Sequence, residues 1–179
     1  MDRAKILSLY GVTLHLLTED KIELVRRWRT DPKISQYMEY RGDITPEQQL
    51  RWFHKIDNEN NFFYLIEIDG KEIGLINVRD FDYESMEGEG GIFIWDDEYL
   101  NGDASFRAVL CLDTYMYETV GMKRKIGHVL RDNKRAQRFN KFFGFKIFPG
   151  QENEYNQRGY ITYEDYLKTK KRMHKLLSD

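Results

Sequence analysis

Residues 92–105 read IFIWDDEYLNGDAS, and this stretch decides the class of fold. Its apolar start predicts a strand over 91–95. Residues 99–103 predict a turn, and apolar residues at helical spacing predict a helix over 104–120. The first amides of a helix lack partners and bind anions, so the turn suits a phosphate or diphosphate. With one glycine, Gly102, the turn matches neither a Walker loop nor a dinucleotide-binding fingerprint.

Residues 133–145, NKRAQRFNKFFGF, form the second informative stretch. Asn133 has the chemistry of a helix N-cap, and Gly144 has that of a helix end. Apolar residues recur between them at helical spacing, which predicts a helix over 134–143 that packs by one face. Local physics alone therefore accounts for this stretch.

The remaining sequence predicts a mixed sheet covered by helices. An Asp-Gly pair at 69–70 between apolar runs predicts a hairpin. Thr45 begins a helix with a capping box, and we expect Leu50, Phe53 and Ile56 to face the core. Other expected elements are strands at 12–17, 62–68, 73–78, 124–130, 145–148 and near Tyr160, helices from Thr18 to Asp31 and from Thr162 to about Leu177, and a flexible segment at 88–91. Hairpins give antiparallel pairs, and strand–helix–strand units give parallel pairs.

Composition limits the class of protein. The chain has 179 residues, 41% of them hydrophobic and 32% charged, which fits one folded domain over 1–179. The formal charge of -2 disfavours a nucleic-acid partner. Cys111, the single cysteine, lies in an apolar helical run and is expected to be buried. No apolar stretch reaches bilayer length, which predicts no membrane contact and a cytoplasmic location.

The order of these elements, together with two motifs, resembles the GNAT superfamily of N-acetyltransferases. The turn motif of that family has Gln or Arg, then Gly three residues later, then Gly or Ala; it falls here on Tyr99, Gly102 and Ala104. The second motif has Asn, then Ala, often Tyr, then Gly-Phe; it falls here on Asn133, Ala136, Asn140 and Gly144-Phe145. The resemblance covers about residues 12–148.

The resemblance implies both a fold and an activity. The fold is α/β, with a mixed, mostly antiparallel central sheet, a splayed pair of parallel strands and helices on both faces. The activity is direct transfer of an acetyl or related acyl group from acyl-CoA to a primary amine in a ternary complex. Acetyl-CoA or another acyl-CoA is the cosubstrate, and no metal is implied. The residues implied to bind it are Phe93, Ile94, Trp95, Leu100, Asn101, Gly102, Asp103, Ala104, Ser105, Asn133, Ala136, Phe139 and Asn140.

Glu89 is the first candidate for the base that the reaction needs. It matches the acidic position at the start of the family's central strand. His128 and His54 are the next candidates. Only a neutral amine has a lone pair to offer, so a base or a water chain must remove its proton. A solvated charge in a Gly-rich loop is the alternative interpretation of Glu89.

Two departures from the family pattern bear on the chemistry. Asn140 replaces the tyrosine that protonates the departing thiolate; an amide donates a hydrogen bond but transfers no proton at neutral pH. Ser105, or a tyrosine brought in by the loop around Tyr155, is an alternative group that could assist the departing thiolate. Asp103 puts a carboxylate beside the expected diphosphate, which costs affinity unless its side chain points to solvent. Charge on the thioester oxygen would be met by a main-chain amide near 93–95.

The front of the chain resembles GNAT enzymes that acetylate nucleotide-linked amino sugars, such as those of pseudaminic acid synthesis. The resemblance rests on residues 28–32, WRTDP, and on the run LRWF at 50–53. Arginine suits phosphates and aromatic rings suit a sugar or a base. The acceptor, a small-molecule amine, is then a sugar nucleotide, and the residues expected to bind it are Trp28, Arg29, Tyr37, Met38 and Tyr40. A solvated basic face with core aromatics is the alternative.

Two other functions share the same cofactor motifs. One is an Nα-acetyltransferase of a protein or peptide. The other is a catalytically silent CoA-binding domain, suggested by the missing tyrosine and by Asp103. A homodimer agrees with the resemblance, because dimers are frequent in the superfamily.

Overall fold

In the computed structural model, which describes residues 2–38 and 42–178, eight strands form one sheet in the order β1-β2-β3-β4-β5-β6-β8-β7. The strands are β1 (Ile6–Leu9), β2 (Val12–Leu16), β3 (Phe62–Ile68), β4 (Lys71–Asp82), β5 (Glu87–Ile94), β6 (Arg124–Leu130), β7 (Lys146–Ile147) and β8 (Asn156–Thr162). Within the described residues, β5 and β6 are parallel and the other neighbouring pairs are antiparallel. The predicted mixed, mostly antiparallel sheet is confirmed.

The helices begin and end where local chemistry directs them. They are α1 (Ile22–Thr30), α2 (Pro32–Ser35), α3 (Pro46–Ile56), α4 (Asp97–Leu100), α5 (Ala104–Thr114), α6 (Lys134–Phe142) and α7 (Tyr163–Ser178). The predicted capping box at α3 is present, because the Gln48 amide donates to Thr45 Oγ1 at 3.2 Å and the Thr45 amide donates to the Gln48 side chain at 2.7 Å. Thr162 and Asp165 cap α7 reciprocally. Gly144 ends α6 with a φ of 81°.

Apolar side chains cover the two faces of the sheet unequally. The larger core lies between one face and α5 to α7, and includes Leu14, Ile66, Leu110, Met116 and Tyr166. The smaller core lies on the other face under α1 to α3, and includes Val25, Phe53, Leu65, Leu75 and Trp95. Strands β6 to β8 contribute no residue to the smaller core among the described residues.

Four sequence expectations are corrected. The structure adds β1 as an edge strand, and the segment 88–91, expected to be flexible, lies inside β5. Leu50 is 36% exposed, and Gln49 takes the inward position because its side-chain amide donates to the Ile22 carbonyl at 3.2 Å. The long helix changes to a π-helical turn at Tyr115–Val120, which ends at Gly121 with a φ of 88°.

Candidate active site

Strands β5 and β6 pair over a short distance and then separate. Their parallel register runs from Glu87 opposite Arg124 to Glu89 opposite Ile126. Beyond Glu89, β5 continues to pair with β4 as far as Ile94, whereas β6 pairs with β8. A gap therefore opens beside residues 90–94, and the expected splayed pair is present.

The alternation of β5 decides which backbone amides face this gap. The Trp95 amide donates to the Ile73 carbonyl of β4 at 2.9 Å. Because successive amides of a strand point to opposite sides, Phe93 also points toward β4, and Ile92 and Ile94 point toward the gap. Of the residues 93–95 expected to supply an oxyanion donor, Ile94 has an amide that faces the gap, and so does Ile92 next to this stretch.

A tight turn connects α4 to α5 at the open end of the gap. Asp103 precedes α5 without a side-chain cap, so the first amides of the helix, at Ala104 and Ser105, have no intrahelical acceptor. A side chain added at Gly102 would come no closer than 4.0 Å to its nearest neighbour, the Tyr99 carbonyl oxygen. Free amides and open space are the features that an anionic group requires. Leu100 and Asn101 form the start of the same turn.

Asp103 does not oppose an anion as directly as its sequence position suggests. Its carboxylate is 58% exposed and forms an ion pair with Arg107 at 3.1 Å, four residues along the helix. Arg107 also donates to the Tyr10 carbonyl at 3.3 Å. The charge of Asp103 is therefore neutralised locally.

Arg135 adds a positive charge at this turn that the sequence motifs had not indicated. Its guanidinium Nη2 donates to the Leu100 carbonyl oxygen from the first turn of α6. Lys134-Arg135 follows a capping residue, so a helix N-terminus with two basic residues was the available signal.

The second motif is largely a helix start in structural terms. Asn133 Oδ1 accepts from the Ala136 amide at 3.0 Å and caps α6. Phe139 packs in an aromatic cluster, 4.8 Å from the Phe106 ring and 5.0 Å from the Phe143 ring. Asn140 is half-buried on the same helix, and its main-chain carbonyl accepts from Phe145 at 3.1 Å. The motif therefore orients α6 against β6.

Glu89 and His128, the first and second candidates for the base, lie in contact. His128 Nδ1 is 3.4 Å from Glu89 Oε1, and Arg79 Nη2 donates to the same oxygen. The Glu89 side chain is 24% exposed and the His128 side chain is 34% exposed. Glu89 occupies the last paired position before the gap, so this cluster lies at its closed end.

Arg29 faces the same cluster. Burial and the charge of Arg79 lower the pKa of the Arg29 guanidinium, which places two positive groups near each other. The Arg29 guanidinium also lies over the Trp52 ring, 5.2 Å from its centroid. Among the described residues expected to bind the acceptor, Arg29 is the one whose charge interacts with that of Arg79.

Trp28 lies elsewhere, although it is adjacent in sequence. Its ring stacks on Trp95 with centroids 5.9 Å apart and an interplanar angle of 1°. Both rings line an open cavity of about 1040 Å³, together with Lys33, Lys71 and Asp97 at the far end of β4 and β5. Trp28 therefore lines this cavity, whereas Arg29 lies over Trp52 and interacts with Arg79.

The other predicted residues are dispersed. Tyr37 is 59% exposed, and Met38 packs at the edge of the smaller core. Tyr40 lies outside the described residues. His54 is next to Glu19 at 3.6 Å rather than next to Glu89. The Tyr155 hydroxyl donates to Asp132 at 2.7 Å beside the start of α6.

Comparison with known proteins identifies the family. Residues 12–146 match the family described as acetyltransferase (GNAT) domain. The chain belongs to the GNAT family. It is therefore an acyl-CoA-dependent N-acyltransferase domain, and the resemblance noted in its sequence is confirmed.

Individual GNAT relatives are distant. Acetyltransferase PseH of Campylobacter jejuni is 23% identical over 141 residues, which cover 78% of this chain and 86% of PseH. An uncharacterized protein of Methanocaldococcus jannaschii is 22% identical over 151 residues, which cover 80% of this chain. The chain spans 30% of the length of that archaeal relative.

Solved GNAT structures share the fold. Spermidine N-acetyltransferase from Vibrio cholerae, in complex with CoA and spermine, has a TM-score of 0.77 at 19% identity, covering 89% of this chain and 99% of that one. FdhC, described as a nucleotide-linked sugar GNAT, has a TM-score of 0.79 at 18% identity, covering 96% and 98%. Within residues 2–38 and 42–178, no helix is both long and apolar enough to cross a membrane. The same residues hold no cluster of His, Cys, Asp and Glu suited to a metal ion.

Proposed function

We propose that this GNAT domain transfers an acetyl group from acetyl-CoA to the primary amine of a nucleotide-linked amino sugar. The observation that carries the proposal is the cluster of Glu89, His128 and Arg79 at the closed end of the gap, with the charge of Arg29 interacting with that of Arg79. It combines a base with positive charge suited to an anionic acceptor.

Glu89 and His128 act together on the amine proton. His128 Nδ1 lies 3.4 Å from Glu89 Oε1, and Nε2 is an acceptor when Nδ1 carries the hydrogen. Glu89 Oε2 makes no hydrogen bond within 2–38 and 42–178, so it is a second acceptor at the same place. Arg79 donates to Oε1 of the same carboxylate. Either acceptor can take the proton and leave a neutral amine nitrogen to attack.

The gap supplies groups that act on the thioester and on the departing thiolate. The amides of Ile92 and Ile94 face it and meet negative charge that develops on the thioester oxygen. Asn140 has a half-buried side-chain amide and donates a hydrogen bond to the departing thiolate, which leaves without a proton from this residue. The thiolate then takes its proton from solvent.

The turn before α5 binds the diphosphate of the acyl-CoA. The amides of Ala104 and Ser105 and the guanidinium of Arg135 converge on one open surface. Asp103 is already paired with Arg107 and so repels an anion less. These residues fit the diphosphate of the acyl-CoA that the GNAT family uses.

The charge of the cluster favours an anionic acceptor over a cationic one. A polyamine would bring positive charge next to Arg29 and Arg79, which already repel each other. Phosphate groups elsewhere on the same acceptor would instead lower that repulsion through their negative charge. The similarity of the fold to FdhC, a nucleotide-linked sugar GNAT, supports this choice. The single domain, the homodimer and the cytoplasmic location stay predictions.

Release of free thiol from acetyl-CoA tests the proposal. The acceptor panel contains UDP- and dTDP-linked amino sugars, spermidine, and peptides with a free N-terminus. Cys111 is buried, so the protein adds little thiol background. Turnover with an amino sugar nucleotide alone supports the proposal. Turnover with spermidine or a peptide alone contradicts the acceptor class, and binding of CoA without turnover indicates a silent domain.

A further inference from the structure

Strand register places a second group of side chains on the same face as Glu89. Glu89 pairs with Ile126 of β6, Ile126 pairs with Tyr160 of β8, and Tyr160 pairs with Lys146 of β7. Residues at paired positions point to the same face of a sheet. Because neighbouring strands are about 4.8 Å apart, Tyr160 lies about 10 Å from Glu89 across the sheet.

Aromatic rings and guanidinium groups meet around Tyr160. The Phe148 and Tyr160 rings have centroids 4.8 Å apart at 38°. The Arg124 guanidinium lies 5.2 Å from the Tyr160 ring and 5.7 Å from the Phe148 ring. The guanidinium of Arg158, a residue of β8, lies 5.5 Å from the Phe148 ring. We call Arg124, Phe148, Arg158 and Tyr160 the aromatic–arginine platform.

The platform is accessible and carries uncompensated charge. Helices α1 to α3 pack on β3 to β5, and no described residue of β6 to β8 joins their core. Arg158 is exposed and forms no ion pair within residues 2–38 and 42–178. Arg124 is paired with Glu87 of the neighbouring strand β5.

We propose that the aromatic–arginine platform binds the nucleoside diphosphate of the acceptor. This inference rests on the proposed function. The Phe148 and Tyr160 rings stack with the planar base, and Arg158 binds phosphate oxygens. The sugar then extends across β6 and brings its amine to Glu89 and His128.

Titration of the full chain with UDP, dTDP and inorganic pyrophosphate, followed by calorimetry, tests the proposal. The variants are Phe148→Leu, which keeps apolar volume but removes the ring, and Arg158→Met, which removes an exposed charge. We expect each to raise the Kd for the nucleotide at least tenfold and to leave the Kd for acetyl-CoA within twofold. Pyrophosphate binding should respond to Arg158→Met and not to Phe148→Leu.

Arg172→Ala is the matched control. Arg172 lies over the Phe142 ring at 4.9 Å, which is the same type of contact between α7 and α6. We expect this variant to bind nucleotide as the unmodified chain does. If the unmodified chain binds a nucleotide and both platform variants bind it equally well, the platform is wrong and the acceptor class stands. If the unmodified chain binds no nucleotide, the platform and the acceptor class are both wrong.

Discussion

The two faces of strands β5 and β6 carry charged groups with different roles. One face is covered by α5, and the other, which we call the open face, carries Glu89 and His128. On the covered face, Lys125 Nζ is 2.6 Å from both carboxylate oxygens of Asp113, and their side chains are 11% and 3% exposed. On the open face, Glu89 lies one residue along β5 from Gly88 and forms the cluster with His128 and Arg79. Its register partner on β6 is Ile126, one residue along from Lys125.

The difference shows how one pair of strands serves both fold and chemistry. A buried ion pair must be complete, because a charge without a partner in the core is very costly. Charges on the open face keep free hydrogen-bonding positions, which a reaction needs and which water can satisfy between turnovers. The period of two residues in a strand is enough to separate the two purposes.

Breaking the buried pair should have the largest effect. Lys125→Met leaves Asp113 buried without its partner and should lower the free energy of unfolding by about 3–5 kcal/mol. Urea unfolding measures this change. Asp113→Leu combined with Lys125→Met should recover most of the loss. Arg27→Met, which removes an exposed partner of Glu23, is the control and should have no measurable effect.

The loss in Lys125→Met should depend on pH. Burial raises the pKa of Asp113, and Lys125 opposes that rise. Without Lys125, the native state holds a proton on Asp113 that the unfolded state has released, so stability falls as pH rises above the unfolded pKa of about 3.9. The variant should be less destabilised at pH 5 than at pH 8. Equal losses at both values would argue against a buried, uncompensated carboxylate.

On the open face, Glu89→Gln should reduce activity rather than stability. Loss of the base and of its contact with His128 should lower kcat about 10²- to 10³-fold. The control is Glu67→Gln, because Glu67 forms a similar pair with His15 at 3.2 Å on the same sheet, away from the gap. A Glu89→Gln enzyme with unchanged kcat would remove this cluster from the mechanism.

At the open end of the gap, Arg135→Ala should weaken acyl-CoA binding alone. Loss of a charge-assisted hydrogen bond should raise the KM for acetyl-CoA by roughly tenfold or more and leave kcat nearly unchanged. Steady-state kinetics at saturating acceptor separates the two constants. Lys141→Ala, an exposed change on a different side of α6, should alter neither.

Cys111 should give the smallest effect. It belongs to the covered core, where burial raises the pKa of its thiol to about 12. At pH 8 the folded chain should therefore not react with a disulfide reagent, whereas the unfolded chain should release one equivalent. Cys111→Ala should retain full activity. Fast reaction in the folded state would mean that this core opens readily.

Much of the fold follows from local chemistry in the sequence. The Asp69-Gly70 hairpin forms as expected because both residues take positive φ values, 50° and 78°. The bounds of β3 and β6 and the start of α3 also match. Leu50 was placed wrongly because the inward side of α3 is set by a hydrogen bond from Gln49, a polar residue that periodicity does not favour.

The site was less predictable than the fold. Glu89 and His128 are both evident in the sequence, but their contact depends on a parallel register between strands separated by a long helical segment. Arg79 and the aromatic–arginine platform depend on the same cross-strand registers. Trp28 and Arg29 are adjacent in sequence and diverge because neighbouring residues of a helix point about 100° apart.

A structure of the ternary complex with CoA and the acceptor found by thiol release tests the central claim most directly. The account predicts that the acceptor amine lies on the open face, about 3 Å from Glu89 Oε2 or His128 Nε2, or one water molecule away. An acceptor in the cavity lined by Trp28 and Trp95, with its amine beyond the reach of both groups, would contradict it.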